Sequence, residues 1–264
     1  MKKYWEFARA AFLRRTAYRF DALMQASASL SRVLFAHLLW SVLFRGRETI
    51  SGFTYDAMLT YYLLQSFLAQ LDTAGRQAEE MSAQIRDGAF AKSLVIPAGV
   101  QKVFFAQSLG ASGFTLLLSV ASGAVWCVLF QIRLALTPSA WQLASALLLI
   151  LLGGVFSIQF HFFLSTLAFR YQDISLFLMI KSNLLAFASG TLVPLALLPP
   201  PALLLMKLLP FYHATYLPCM LLLNRNGEEA MPGIFTLLLW CGFMYAVNKT
   251  MYARLRIRFD GVGI

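Results

Sequence analysis

The sequence predicts an all-α integral membrane protein, and three observations carry that expectation. The chain is 59% hydrophobic and only 13% charged, with a mean hydropathy of +0.67, whereas a soluble domain has about a quarter charged residues. The runs Phe104–Ile132 and Leu134–Phe169 contain no charged residue, and each exceeds the roughly 20 residues that cross a bilayer as a helix. A soluble core helix can be apolar all round, but several such runs in 264 residues point to a membrane. The third observation is a polar island, Asp72–Lys102, set between apolar stretches. The net charge of +10 falls between and beyond those stretches, so it reads as topology rather than as a nucleic-acid surface.

Taken in order, residues 1–20 form a basic helix. Tyr4, Trp5, Ala8, Ala11 and Phe12 lie on one side of it, and Lys2, Lys3, Glu6, Arg9 and Arg14 on the other, the pattern of a helix lying at the membrane interface. Bases occur throughout this segment and no apolar core does, so no cleavable signal peptide is expected. The first span is 22–44. It holds Arg32 and His37, and an intramembrane charge is costly enough to face protein or to snorkel. The second, 53–71, opens with Phe53, Tyr55, Tyr61 and Tyr62, which suit an aromatic belt. The island 72–102 follows. Met81 and Ile85 lie one turn apart, Glu79, Glu80 and Arg86 take other faces, Gly88 can cap the helix and Pro97 stops a second short segment.

The remaining spans are 103–131, 141–169, 174–198 and 231–247. Gly153 and Gly154 in the fourth allow close helix approach. Residues 199–226 are apolar yet broken by Pro199, Pro200, Pro201, Pro210 and Pro218. Each proline removes a backbone donor, and the pieces between are too short to cross, so they read as short re-entrant helices buried by protein. Six spans put both termini on one side. That side holds sixteen of the 22 Lys and Arg, counting Lys181 as a base near a span end. The other side holds five, Arg45, Arg47, Arg133, Lys207 and Arg225. The positive-inside rule then makes the terminal side and the 72–102 island cytoplasmic.

No stretch matches G-x-x-x-x-G-K-[ST], H-E-x-x-H or G-x-S-x-G, so a nucleotide-binding P-loop and the commonest hydrolase signatures are absent. Cys127, Cys219 and Cys241 lack metal-ligand spacing and read as packing residues. His37, His161 and His213 fall on separate segments and read as structural. No acid lies at mid-span, since Asp21, Asp56, Asp72 and Asp173 sit near span ends, which argues against a proton-coupled carrier. Sodium sites built from carbonyls escape this test; otherwise energy comes from elsewhere, or the protein does not pump.

The order of elements resembles the permease subunits of type-two ATP-binding-cassette exporters, the ABC-2 family transporter proteins, along nearly the whole chain. Ile85-Arg86-Asp87-Gly88 followed by Leu94-Val95-Ile96-Pro97 is similar to that family's I-x-x-G … L-x-x-P loop. Phe169–Asp173, Ser189-Gly190 and Val193-Pro194-Leu195 resemble its fifth-span pattern. Leu209-Pro210-Phe211 with Pro218 resembles its re-entrant segment, and the basic-Gly tail Arg256–Gly263 also fits. The resemblance implies a single permease domain over 1–264 that pairs with a second permease, the same chain or a different one. It also implies cytoplasmic ATPase subunits that bind ATP and Mg, with no cofactor in this chain, and a place in a bacterial plasma membrane with both termini cytoplasmic. On it, Glu79, Glu80, Arg86 and Asp87 are expected to contact the ATPase, with Met81, Ile85 and Phe90 as packing residues of that coupling site. Tyr61, Tyr62, Phe67, Phe177 and Phe187 are expected along an apolar path for an amphipathic or hydrophobic substrate such as a lipid, peptide or natural product, moved outward by alternating access. The readings set against this are a membrane-embedded lipid-modifying enzyme and a passive channel or scaffold.

Overall fold

The computed structural model describes residues 2–17, 19–171, 173–188, 190, 195 and 198–258. The motif residues Gln172, Ser189, Val193 and Pro194 and the end of the basic-Gly tail lie outside the described residues, and so does the side chain of Arg32 with the question of where its charge faces. The chain is all-helical. In order it forms α1 (Lys2–Ala17), α2 (Arg19–Leu43), α3 (Tyr55–Leu71), α4 (Ala74–Arg86), α5 (Ala91–Val95), α6 (Val100–Leu129), α7 (Ala140–Thr166), α8 (Ala168–Tyr171), α9 (Ser175–Ala188), α10 (Pro200–Leu208), a π-helical turn (Tyr212–Tyr216), α11 (Leu217–Leu222) and α12 (Ala230–Leu255). Among the described residues the only β pairing is the isolated bridge Ile50–Phe53. It closes a two-residue turn in which Ser51 and Gly52 both take positive φ, the geometry that reverses a chain most tightly.

Three helices are long and apolar enough to cross a membrane, namely Val100–Leu129, Ala140–Tyr171 with its short break, and Gly227–Leu255. The last runs well past the expected end at residue 247, because nothing between Asn248 and Leu255 breaks a helix. The expected fifth span is shorter than its sequence range. Helix α9 stops at Ala188 instead of continuing to residue 198. Gly190 takes φ +73° there, and a Cβ on it would sit 2.6 Å from Tyr61 Oη, so only glycine fits the turn. Tyr61 donates a hydrogen bond to the Gly190 carbonyl at 3.1 Å and fixes it.

Helix α7 is the central post. A reciprocal capping box starts it: Gln142 N–H donates to Ser139 Oγ at 3.3 Å, and Ser139 N–H donates to Gln142 Oε1 at 2.9 Å. Gln142 packs beside Gly227, near the start of α12. At the other end Ser165 donates to Met81 Sδ of α4. At 1.5 Å per residue these ends are about 35 Å apart, so α4 and the 224–229 loop lie at opposite ends of the post.

The two larger apolar clusters among the described residues follow from this. One is built around the proline-broken segment, where Tyr212, Leu217, Cys219, Met220 and Leu221 are fully buried against α3, α7 and α12. Pro218 lacks the N–H that a regular α-turn would donate to the Ala214 carbonyl. A π-helical turn lies just before it, and the Thr215 carbonyl accepts from Gln65 Nε2 at 3.3 Å. Non-helical backbone in a membrane protein is tolerated where protein covers it, and here it is covered. The second core lies under α4 and joins Ala78, Met81, Ile85 and Phe90 to Phe104, Phe162 and Ala168.

Candidate functional site

The polar island folds as a helix held against the rest of the chain. On α4, Ala74, Ala78, Met81, Ser82 and Ile85 are buried, one stripe at helical spacing. Asp87 N–H and Gly88 N–H donate back to the carbonyls of Ala83 and Ile85, and Gly88 takes φ +73°, the left-handed residue that ends a helix cleanly. The chain then folds back so that Phe90, 1% exposed, meets Phe169 edge-on at 5.4 Å between centroids.

Polar contacts complete the seating of α4. Gln77 Nε2 donates to the Phe104 carbonyl at 3.1 Å and to Gln107 Oε1 at 2.9 Å on α6. Glu80 pairs with Arg14 of α1 at 3.2 Å. Directly before α4 lies a buried joint. Asp72, the first residue past α3, pairs with Lys181 of α9 at 2.5 Å and accepts from Ser157 Oγ of α7 at 2.8 Å. His161 Nδ1 lies 3.5 Å from the same carboxylate, and its ring faces Gly75. Burial pushes the Asp72 carboxyl up. The charges of His161 and Lys181 and the hydrogen bonds from Lys181 and Ser157 outweigh it and hold the group at about 2. Three helices, α3, α7 and α9, therefore meet at one carboxylate, two residues before α4 begins.

This joint refines one expectation. Lys181, counted as a base near a span end, is 7% exposed and committed to Asp72. Asp72 lies at the end of α3, as expected. Nothing local signals the pairing, because the two residues are 109 positions apart. The joint also brings a Ser, a His and an Asp together, as a lipid-modifying enzyme would require, but in the wrong order. In a hydrolytic triad the serine donates to histidine and histidine to aspartate. Here Ser157 Oγ donates to Asp72 at 2.8 Å and lies 3.4 Å from His161 Nδ1, which is itself 2.9 Å from the Ser157 carbonyl. That arrangement ties α7 to the end of α3. The other histidines are also bonded locally, His37 to Tyr55 Oη at 2.9 Å and His213 to the Lys207 carbonyl at 2.8 Å. No group of metal-binding side chains occurs among the described residues.

The expected coupling residues divide into two sets. Glu79, Arg86 and Asp87 are exposed, with Arg86 and Asp87 3.5 Å apart. Met81, Ile85 and Phe90 are 6%, 7% and 1% exposed and anchor α4 from within, so they cannot meet a partner directly. Glu80 faces α1. The short segment that Pro97 stops forms an apolar patch after this face: Leu94, Val95 and Ile96 are 44%, 84% and 42% exposed on and just after α5. Its signal was the apolar triplet beside Pro97 in an otherwise charged loop.

The expected path residues are not brought to one surface. Tyr61 is fully buried, accepting from Gln65 Nε2 at 3.3 Å and packed edge-on with Tyr62 and Tyr216. It is a core residue and cannot line a path. Tyr62 and Phe67 are half-buried on α3. Phe177 stacks on Tyr171 at 5.5 Å near the α4 end, and Phe187 is half exposed on α9.

A second polar cluster sits at the opposite end of α7. Glu229 accepts from Lys207 at 2.9 Å, Tyr212 Oη at 2.8 Å and Asn226 Nδ2 at 2.7 Å. Arg225 stacks on Phe53 at 3.9 Å and donates to the Gly52 carbonyl, which ties the 224–229 loop to the entry of α3. Comparison with known proteins gives one family match, the model described as ABC-2 family transporter protein, over residues 30–263. No match to a curated protein is found.

Proposed function

The chain belongs to the ABC-2 family of transporter proteins, and from that premise we propose that it is the permease half of an ATP-driven exporter whose α4–α5 surface receives the ATPase. The family assigns it as a multi-pass transmembrane subunit of an ABC transporter, with ATP hydrolysis in a separate subunit. The observation that carries the proposal is the combination on α4 and α5. A rigidly seated amphipathic helix presents Glu79, Arg86 and Asp87 outward beside the exposed Leu94, Val95 and Ile96. A mixed rim of charge around an apolar centre is the composition of a protein interface.

In this reading α2, α3, α6, α7, α9 and α12 make six crossings, with α9 a short, broken one. α1 lies at the cytoplasmic interface, α4 is the coupling helix, and α10, the π-helical turn and α11 are re-entrant from the outside. Both termini face the cytoplasm of a bacterial cell. ATP and Mg bind the partner, and its closure pushes on α4. The push passes through the Asp72–Lys181 joint to α9 and α7. A second permease chain faces the exposed apolar side of α9, where Leu176, Met179, Ile180 and Phe187 lie, and an amphipathic substrate leaves between the two chains.

Purification of the chain from its native membrane in mild detergent tests this. A P-loop ATPase should co-purify, and a chain isolated intact and alone would contradict the proposal. Sidedness is tested by thiol labelling at Gln84→Cys and Glu228→Cys, both exposed positions, in a background without native cysteines. The two should label from opposite sides of the membrane.

A further inference from the structure

A cleft of about 1060 Å³ lies between α1 and the packed ends of α6, α7 and α12. It lies outside the α4–α5 surface and plays no part in the proposal above. Its volume is at the top of the roughly 300–1,000 Å³ range of small-molecule sites. Phe12, Phe105, Leu109 and Val155 form its apolar wall. On α6 the lining runs from Gln101 to Gly113, about 18 Å along the axis, which exceeds the depth of half a bilayer core, roughly 15 Å. Helix α1 packs closely along α6, where a Cβ on Gly110 would overlap the Ala8 backbone, and the cleft lies alongside this contact, bounded by α7 and α12.

Two bases border this apolar space. Arg9 has only a long 3.9 Å contact with Glu6, and Lys102 makes no ion pair among the described residues. The occupant should therefore bring an anion for Arg9 and Lys102 and a long apolar tail for the wall. We infer that this cleft binds an anionic membrane phospholipid, such as phosphatidylglycerol. Basic pockets between membrane helices hold anionic headgroups for the same electrostatic reason. A phosphatidylcholine headgroup has no net charge to offer.

The test is native mass spectrometry of the purified full-length chain, delipidated and titrated with phosphatidylglycerol or phosphatidylcholine of identical acyl chains. Wild type should retain the anionic lipid at least about fivefold better, since one base near a headgroup is worth about that factor. Arg9→Gln/Lys102→Gln should remove the preference, and Arg9→Lys/Lys102→Arg should keep it. Lys249→Gln, a base outside the cleft, should change nothing. Equal retention of the two lipids by wild type, or a preference that survives the Arg9→Gln/Lys102→Gln variant, would overturn the assignment.

Discussion

The Asp72–Lys181 joint can be broken from one side. Lys181→Met keeps the length of the side chain and removes its charge. Asp72 then keeps Ser157 Oγ at 2.8 Å and His161 at 3.5 Å but loses the cation at 2.5 Å. Removing one partner of a buried ion pair costs about 3–5 kcal/mol, because the other charge is left uncompensated. The Asp72 side chain is 18% exposed and retains one donor, so the low end, about 3 kcal/mol, is the appropriate figure. At about 2–4 °C per kcal/mol for a chain of this size, the melting temperature should fall by about 6–12 °C. Circular dichroism in detergent measures it. Replacing both charges, Asp72→Asn with Lys181→Met, should recover most of the loss, since an uncharged pair in the same space is close to neutral. The restored double variant should nonetheless stimulate the partner ATPase poorly, because the joint between α4 and α9 is weaker. A single variant that melts within about 2 °C of wild type, or a double variant no better than the single, would refute the reasoning.

Acid should act on the same group. The Asp72 carboxyl sits at about 2 in the fold against 3.8 ordinarily, so its contribution is present above about pH 4 and lost as pH falls toward 2. The melting temperature of wild type should drop over that window by more than that of the uncharged double variant. Gly110→Leu should drive α1 off α6, since the obstacle is the Ala8 backbone and cannot swing aside. Overpacking of this kind costs about 1–3 kcal/mol, read as a lower melting temperature and faster proteolysis of α1. Gly190→Ala meets both a positive φ and Tyr61 Oη at 2.6 Å, and should cost at least about 1 kcal/mol, while a neighbouring exposed change, Asn183→Ala, costs little.

Much of the fold was legible because membrane spans announce themselves by length and apolarity, and the two charge-free runs became α6 and α7. The cap at Gly88 was legible too, since local turn chemistry needs no tertiary information. The break at Gly190 showed only as a weakness in an apolar run, because Tyr61, which fixes it, is 129 residues away. The same distance problem hid the Asp72–Lys181 joint. Each residue, read alone, is a charge near a span end, and only packing puts them 2.5 Å apart. At the candidate site, Met81 and Ile85 were picked for their helical spacing, which marks a buried face but not what buries it. Here α6, α7 and α8 do so from within the chain, and the outward surface belongs to residues with no periodicity of their own, Asp87 and Val95 among them.

The docking role of that surface is tested most directly by capturing the ATPase on Glu79→Lys/Asp87→Lys and on Val95→Asp. All three positions are exposed and make no buried contact, so the chain should fold and melt as wild type does. If α4 and α5 receive the ATPase, both variants lose co-purification and ATP-dependent transport while keeping their melting temperatures. If both still capture the ATPase as wild type does, the contact lies elsewhere on the molecule.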